Sequence, residues 1–437
     1  MGFGLHRQGD RDLVQVSELM VRESGLRAFR EAIFALATFV APPLAVLVPF
    51  GMAVYLPIFG LIAAGMLWRE YGFARIPLVP LFFTGFLCLW GAVTLVWAPE
   101  PGHAAATLAR IAGLAVAGVL GLGFAGQGSS SCSRLVAWAA AAGLAVAAVL
   151  IAGDLMTSNT ISSLLSLAKG GQAIPEGYKS QLSRGATSLA LLLWPFSLIA
   201  WRGRNILLAT VCLVTLVILA TGDSLAARLA LALGLTVFVL VLASPRWGLL
   251  VLRLAVVGGV GILPMAARAL PEPPQSFSSL PWLPYSTHHR LVIWHYAGQR
   301  IAEHPWRGWG MEAARADPGG NAILTIQDVD ETGWVRHELV GARLPLHPHN
   351  AVLQWWLELG LVGALLLVGF LWWLIGRIER SSVLDRLGRA TGAGALTAAL
   401  AISLVSYGAW QSWWLGVLWL AAAFCLMAGR APTKDSA

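Results

Sequence analysis

Charge is what this sequence has least of. Only 12% of its 437 residues are Asp, Glu, Lys or Arg, where a soluble domain has roughly 25%. With 57% hydrophobic residues and a mean hydropathy of +0.70, more apolar surface is present than one water-soluble core can hide. That excludes an ordinary globular chain. Cysteine is scarce too. Cys88, Cys132, Cys212 and Cys425 have neither metal-site spacing nor a plausible disulfide partner, and read as small apolar residues. No stacking or basic-groove pattern accompanies the 30 Lys and Arg, so nucleic acid is not an expected partner. No apolar run with a cleavage site directly follows the polar, basic first 30 residues, so no secretory signal peptide is expected.

What the chain has instead is long apolar runs. Lipid leaves backbone groups unsatisfied unless they pair internally, so such runs become helices of about 20 residues. The expected fold is an all-α integral membrane protein with about 12 transmembrane helices and one large, partly helical periplasmic loop. The spans lie near residues 32–50, 52–68, 76–98, 104–125, 134–153, 185–201, 205–221, 225–243, 247–267, 351–375, 391–407 and 410–428. The first two, separated by Gly51 alone, read either as two spans or as one broken hairpin bent by Pro42, Pro43 and Pro57. The resulting divisions are a leader (1–30), nine spans (31–267), a loop (268–350), three spans (351–428) and a tail (429–437). In the leader, Leu13, Val16, Leu19, Met20 and Leu26 recur at helical spacing, as in a surface helix.

Arginine placement sets the orientation. Twelve spans put both termini on one side, with Arg69, Arg75, Arg134, Arg202, Arg204, Arg246, Arg377, Arg380, Arg386, Arg389, Arg430 and Lys434. The opposite turns near Gly51, Pro99–His103 and Gly408–Ala409 have no Lys or Arg. The positive-inside rule then predicts cytoplasmic termini.

Polar chemistry concentrates in residues 268–350. Seven of the nine histidines are there: His288, His289, His295, His304, His337, His347 and His349. The stretch STHHRLVIWHYAGQRIAEHPWRGWG predicts a helix capped by Ser286, with Leu291, Trp294, Ala297 and Ile301 on its apolar face and His304–Pro305 at its end. Asp317–Arg343 reads as a loop or small hairpin. In LPLHPHNAVLQWWLELGLVG, Pro345 and Pro348 fit a helix starting near 348. His349 and Asn350 would then occupy its first turn, at the positive end of the helix dipole, which favours a neutral imidazole.

His349–Asn350, nine residues, Gly360, two residues and Gly363 complete a pattern that resembles the O-antigen ligase and polymerase superfamily. The Arg290–Trp294 helix, the HPWRGWG turn and the layout of spans and loop are similar to it as well. The resemblance implies glycan transfer from an undecaprenyl pyrophosphate-linked donor to a sugar hydroxyl of a lipid A–core or other glycan acceptor, among membrane lipids, without metal or other cofactor. It implies that His349 is the base, supported by His347 and Asn350, and that arginines hold the pyrophosphate. Candidates are Arg290, Arg228, Arg184 and Arg110. Arg228 follows Ser224 by four residues, whereas the family has Ser and Arg adjacent. Polymerase and protein O-oligosaccharyltransferase activities share this pattern, and a flippase would share the span number. Plainer readings stand beside each residue: a capping His349, a His347–His349 metal pair, an Arg290 that is a plain interfacial anchor, an Arg228–Asp223 ion pair, an Arg184 that joins Lys169 and Lys179 in meeting lipid phosphates, and an Arg110 that snorkels outward.

Overall fold

A computed structural model describes residues 3–71, 76–127, 133–168, 170–172, 182–271, 275–283, 285–329, 332 and 334–430. Expectations for Arg75, Cys132, Lys169, Lys179 and Lys434 lie outside them, and so do the side chains of residues 1–23, Ser286 and His337.

The described helices are α1 (Phe3–Leu47), α2 (Met52–Tyr71), α3 (Val79–Thr94), α4 (Pro101–Ala125), α5 (Arg134–Met156), α6 (Thr160–Ala168), α7 (Ser183–Arg202), α8 (Ile206–Thr221), α9 (Leu225–Ala243) and α10 (Pro245–Arg268). After them come α11 (Gln275–Ser279), α12 (Tyr285–Glu303), α13 (Ala313–Ala316), α14 (Ala351–Glu379), α15 (Arg386–Val405) and α16 (Ser412–Gly429). Two antiparallel strands, β1 (Ile323–Val329) and β2 (Val335–Ala342), pair Ile323 with Ala342 and Thr325 with Val340. The segment that reads as loop or hairpin in the sequence is thus a hairpin.

Nine helices among the described residues are long and apolar enough to cross a membrane, which makes this a multi-pass membrane protein. α3 and α8 are apolar but have 16 residues each. α7 is different. Leu189, Leu191, Leu192, Phe196 and Ile199 are fully covered by neighbouring helices, so protein rather than lipid satisfies its surface. The expected leader is continuous with the first span: α1 runs on as one helix, of which Ser24–Leu47 is apolar enough to cross. A short 3-10 turn, Pro49–Gly51, separates α1 from α2.

Small residues set how closely the helices pack. A Cβ on Gly143 of α5 would lie 2.2 Å from the Phe39 carbonyl oxygen of α1. Such contacts replace the hydrophobic drive that is missing between helices in lipid. Leu61, Val149 and Leu213 face outward, as lipid-contacting residues would.

Both ends of the bundle carry ion-paired arginines, Arg300 with Asp317 at 2.7 Å and Arg315 with Glu312 at 3.4 Å among them. Where α7 ends and α15 begins, Arg202 pairs with Asp385 at 2.6 Å, Arg253 with Glu379 at 2.6 Å, and Arg30 with Glu70. At the other end, where α4, α7, α9 and α14 begin, Arg184, Arg228 and Arg290 have no carboxylate partner among the described residues.

Candidate active site

His349 lies just before α14, not in its first turn. Its φ of 52° is left-handed, outside the helical region, and costs an L-residue other than Gly on the order of 1–3 kcal/mol. Asn350 is the N-cap. Its Oδ1 accepts the Leu353 N–H at 3.0 Å. The helix expected from 348 therefore starts at Ala351.

Four contacts hold the His-Pro-His segment. Trp294 Nε1 of α12 donates to the Pro348 carbonyl at 2.9 Å. The His349 N–H donates to His347 Nδ1 at 3.2 Å. His347 Nε2 lies 2.9 Å from the Gln411 amide. The fourth fixes the chemistry: His349 Nδ1 is 2.8 Å from the Ser406 carbonyl oxygen, at the end of α15. A carbonyl only accepts, so Nδ1 carries the hydrogen and the neutral ring presents Nε2 as a lone pair. Among the described residues Nε2 has no hydrogen-bond partner.

Burial holds His349 below the ordinary histidine range. The Ser406 bond opposes that shift, and the charge of Arg290, then His289, adds to it. The helix dipole is not needed to keep the ring neutral. His347 is pushed down to about 3, first by burial, then by His349, Arg315 and Arg184.

The candidate cations divide. Arg290 sits half-buried on α12 with no hydrogen bond or carboxylate partner among the described residues, close enough to His349 and Tyr407 for its charge to act on both. Burial lowers its affinity for its own proton, though an arginine remains charged. Arg184, the second residue of α7, lies 5.1 Å from the Phe50 ring centre, and its charge reaches His347 and Tyr407. These two flank the histidines. Arg228 is exposed in the first turn of α9. Asp223 does not pair with it, and Ser224 instead caps the helix through the Ala227 N–H at 3.3 Å. Arg110 is exposed on α4 and donates to Thr107 Oγ1 at 2.6 Å. Neither is brought to His349 by any contact of the described residues.

Sequence reasoning missed two participants. Tyr407 has its hydroxyl 2.7 Å from Thr187 Oγ1 of α7, and burial pushes its phenol up to about 12. Glu312, with φ 61°, accepts from Thr107 Oγ1 at 2.9 Å and from Arg315 Nε at 3.4 Å. No local pattern marks either residue. Glu358, inside α14, is wholly buried and accepts N–H groups, from Gln354 Nε2 at 2.9 Å, Trp410 Nε1 at 2.7 Å and the Glu312 backbone at 2.7 Å.

The motif glycine has a geometric cause. Gly360 has φ 62° and ψ −155°, breaking α14 where the HPWRGWG turn packs against it. The break lets Trp309 N–H reach the Leu357 carbonyl at 2.8 Å and Gly310 N–H reach that of Glu358 at 2.9 Å. Leu361 N–H returns to the Pro305 carbonyl at 2.8 Å, and Trp90 Nε1 takes the Leu359 carbonyl at 3.0 Å. Among the described residues no group of three or more His, Cys, Asp or Glu could hold a metal ion.

Residues 208–368 match a family model described as O-antigen ligase. That stretch contains Arg228, Arg290, His347, His349 and both motif glycines, and leaves Arg110 and Arg184 outside. The chain is 29% identical over 242 residues to a protein of Rickettsia prowazekii (strain Madrid E) that is provisionally named a polysaccharide ligase, covering 55% of this chain and 56% of that one. Relatives with the same provisional name occur in Rickettsia conorii (27% over 235 residues; 54% of each chain) and Rickettsia bellii (29% over 236 residues; 54% of this chain and 55% of the relative). The chain thus spans about half the length of the curated relatives it matches.

Proposed function

We propose, from the O-antigen ligase domain that this chain carries over residues 208–368, that it transfers a glycan from undecaprenyl pyrophosphate to a sugar hydroxyl of a lipid A–core acceptor. In this reading all twelve apolar helices cross a bacterial inner membrane, both termini are cytoplasmic, and the His349 end faces the periplasm. No metal takes part. The observation that carries the reading is the His349 ring: Nδ1 committed to the Ser406 carbonyl at 2.8 Å, Nε2 without a partner among the described residues, and Arg290, which has no carboxylate partner among them, acting on it.

The chemistry follows from those groups. His349 Nε2 takes the proton of the acceptor hydroxyl as its oxygen bonds to the anomeric carbon. The bond from that carbon to the pyrophosphate oxygen breaks, and the leaving group keeps the electron pair. Arg290 and Arg184 hold the departing negative charge; two fixed guanidiniums suit a diphosphate because each forks onto phosphate oxygens. The imidazolium then loses its proton to water. His347, neutral because of its low affinity for protons, supports the His349 backbone without adding a competing charge. Arg228 and Arg110 meet the donor or neighbouring lipid phosphates from farther out.

Reconstitution with a lipid-linked glycan and a choice of acceptors tests this. Glycan should appear on a lipid A–core acceptor with the wild-type protein and not with His349→Ala, while folding is retained. Full transfer by His349→Ala would eliminate the base. Transfer only to a second undecaprenyl-linked glycan, or to a protein, would make the enzyme a polymerase or a protein O-oligosaccharyltransferase. Glycan movement across vesicles without any new glycosidic bond would make it a flippase.

A further inference from the structure

Glu358 is buried among donors in a manner the transfer reaction alone does not explain. Three N–H groups converge on its carboxylate, from Gln354 Nε2, Trp410 Nε1 and the Glu312 backbone. Gln354 cannot turn round to relieve them, because its Oε1 already accepts the Ala409 N–H at 2.8 Å. Its Nε2 hydrogens therefore face residue 358, which must offer acceptors only. A carboxylate does so and an amide does not.

The tethered groups belong to one turn. Ala409 and Trp410 lie in the six residues, 406–411, that join α15 to α16, and Ser406 opens that turn. Its carbonyl is the one that holds His349 Nδ1. Gly408 leaves room for the packing: a Cβ there would lie 2.9 Å from His347 Cγ and 3.0 Å from Gln354 Oε1. On the other side, the Glu312 turn is fixed to α4 through Thr107.

We infer that Glu358, acting through Gln354, Ala409 and Trp410, is a positioning residue that clamps the 406–411 turn against α14 and so keeps the Ser406 carbonyl on His349 Nδ1. The inference rests on the glycan-transfer reading above. The groups facing His349 are Arg290 and His289 from α12, His347 from its own segment and the Ser406 carbonyl from the α15–α16 turn. Of these, the clamp governs the last. The Ser406 bond favours the protonated ring, so loosening it moves the acid limb of activity to lower pH.

The test is Glu358→Gln in the full-length protein, reconstituted with lipid-linked donor and acceptor. It keeps side-chain volume and sets N–H against N–H. The expected result is a folded protein with kcat reduced about tenfold to 10²-fold, as for a displaced catalytic group. KM for the donor should stay within about twofold, and the acid limb should move down in pH. Unchanged kcat and pH profile would overturn the clamp. So would reduced kcat with an unmoved acid limb, which is loss of structure alone. Should Glu358→Gln not fold, Gln354→Met removes the Ala409 tether together with the Gln354–Glu358 bond but leaves the Trp410 tether in place, and should give the same pattern more weakly; wild-type behaviour there overturns the inference as well. His349→Ala run alongside separates the two ideas: an inactive His349→Ala with a wild-type Gln354→Met sinks the clamp alone, and an active His349→Ala sinks the transfer reading itself.

Discussion

Replacing Gly360 with alanine tests the geometry that joins the HPWRGWG turn to the span behind the site. At φ 62° and ψ −155° the backbone is in a region that is essentially glycine's alone, and an L-side chain there costs on the order of 1–3 kcal/mol. Steric conflict adds to that strain. The new Cβ would stand 2.5 Å from the Trp306 carbonyl oxygen and 2.6 Å from the Gly308 nitrogen, both backbone atoms that no rotamer can move aside. Separating the two segments breaks the bonds from Trp309, Gly310 and Leu361, each worth about 1 kcal/mol. The total is about 4–6 kcal/mol, a large part of a typical folding free energy of about 5–15 kcal/mol. Thermal unfolding of the detergent-purified protein, followed by tryptophan fluorescence, should show a melting temperature lower by roughly 5–10 °C. Gly259→Ala is the control, because a Cβ on that residue of α10 meets nothing within 4 Å, and it should match or slightly exceed wild type. If Gly360→Ala melts with the control, the kink is not what holds the HPWRGWG turn to the span.

Two further outcomes are expected. Arg290→Lys should raise KM for the lipid-linked donor well above the effect of Arg386→Lys at the opposite end, because a point charge does not replace a fork on phosphate; equal effects would remove Arg290 from the pyrophosphate site. Stability should also depend on His347. Its folded-state value of about 3 lies below the unfolded value of about 6.5, so the unfolded chain binds the proton first as pH falls. Stability is complete above about 6.5 and is lost towards 3, with a slope of up to about 1.4 kcal/mol per pH unit. His347→Gln should flatten the acid side of a plot of melting temperature against pH, and parallel curves for the two proteins would refute the assignment.

Much of the fold was legible because period and length are local. The α12 helix over Tyr285–Glu303 and its end at His304–Pro305 follow from side-chain order, whereas residues 323–342 read as loop or hairpin until the strand pairing decided it. The start of α14 was not, because what takes His349 out of the helix is a carbonyl 57 positions later in the chain. Asn350 supplied a cap that the two prolines obscured. The partners of the buried carboxylates were not legible for the same reason. Glu312 meets Thr107 across 205 positions and Trp410 meets Glu358 across 52, and no spacing rule spans such distances. Among the arginines, composition identified the type of residue wanted. Only packing distinguishes Arg290 and Arg184, whose charges act on the histidines, from Arg228 and Arg110, which no direct contact among the described residues links to them.

The meeting of the Thr187 and Tyr407 hydroxyls at 2.7 Å has a mechanical consequence. It rivets the first turns of α7, and with them residue 184, to the connection whose opening carbonyl sets the imidazole tautomer. A sway of α7 shifts guanidinium and ring in concert, so their mutual spacing survives breathing of the bundle that would otherwise blur it.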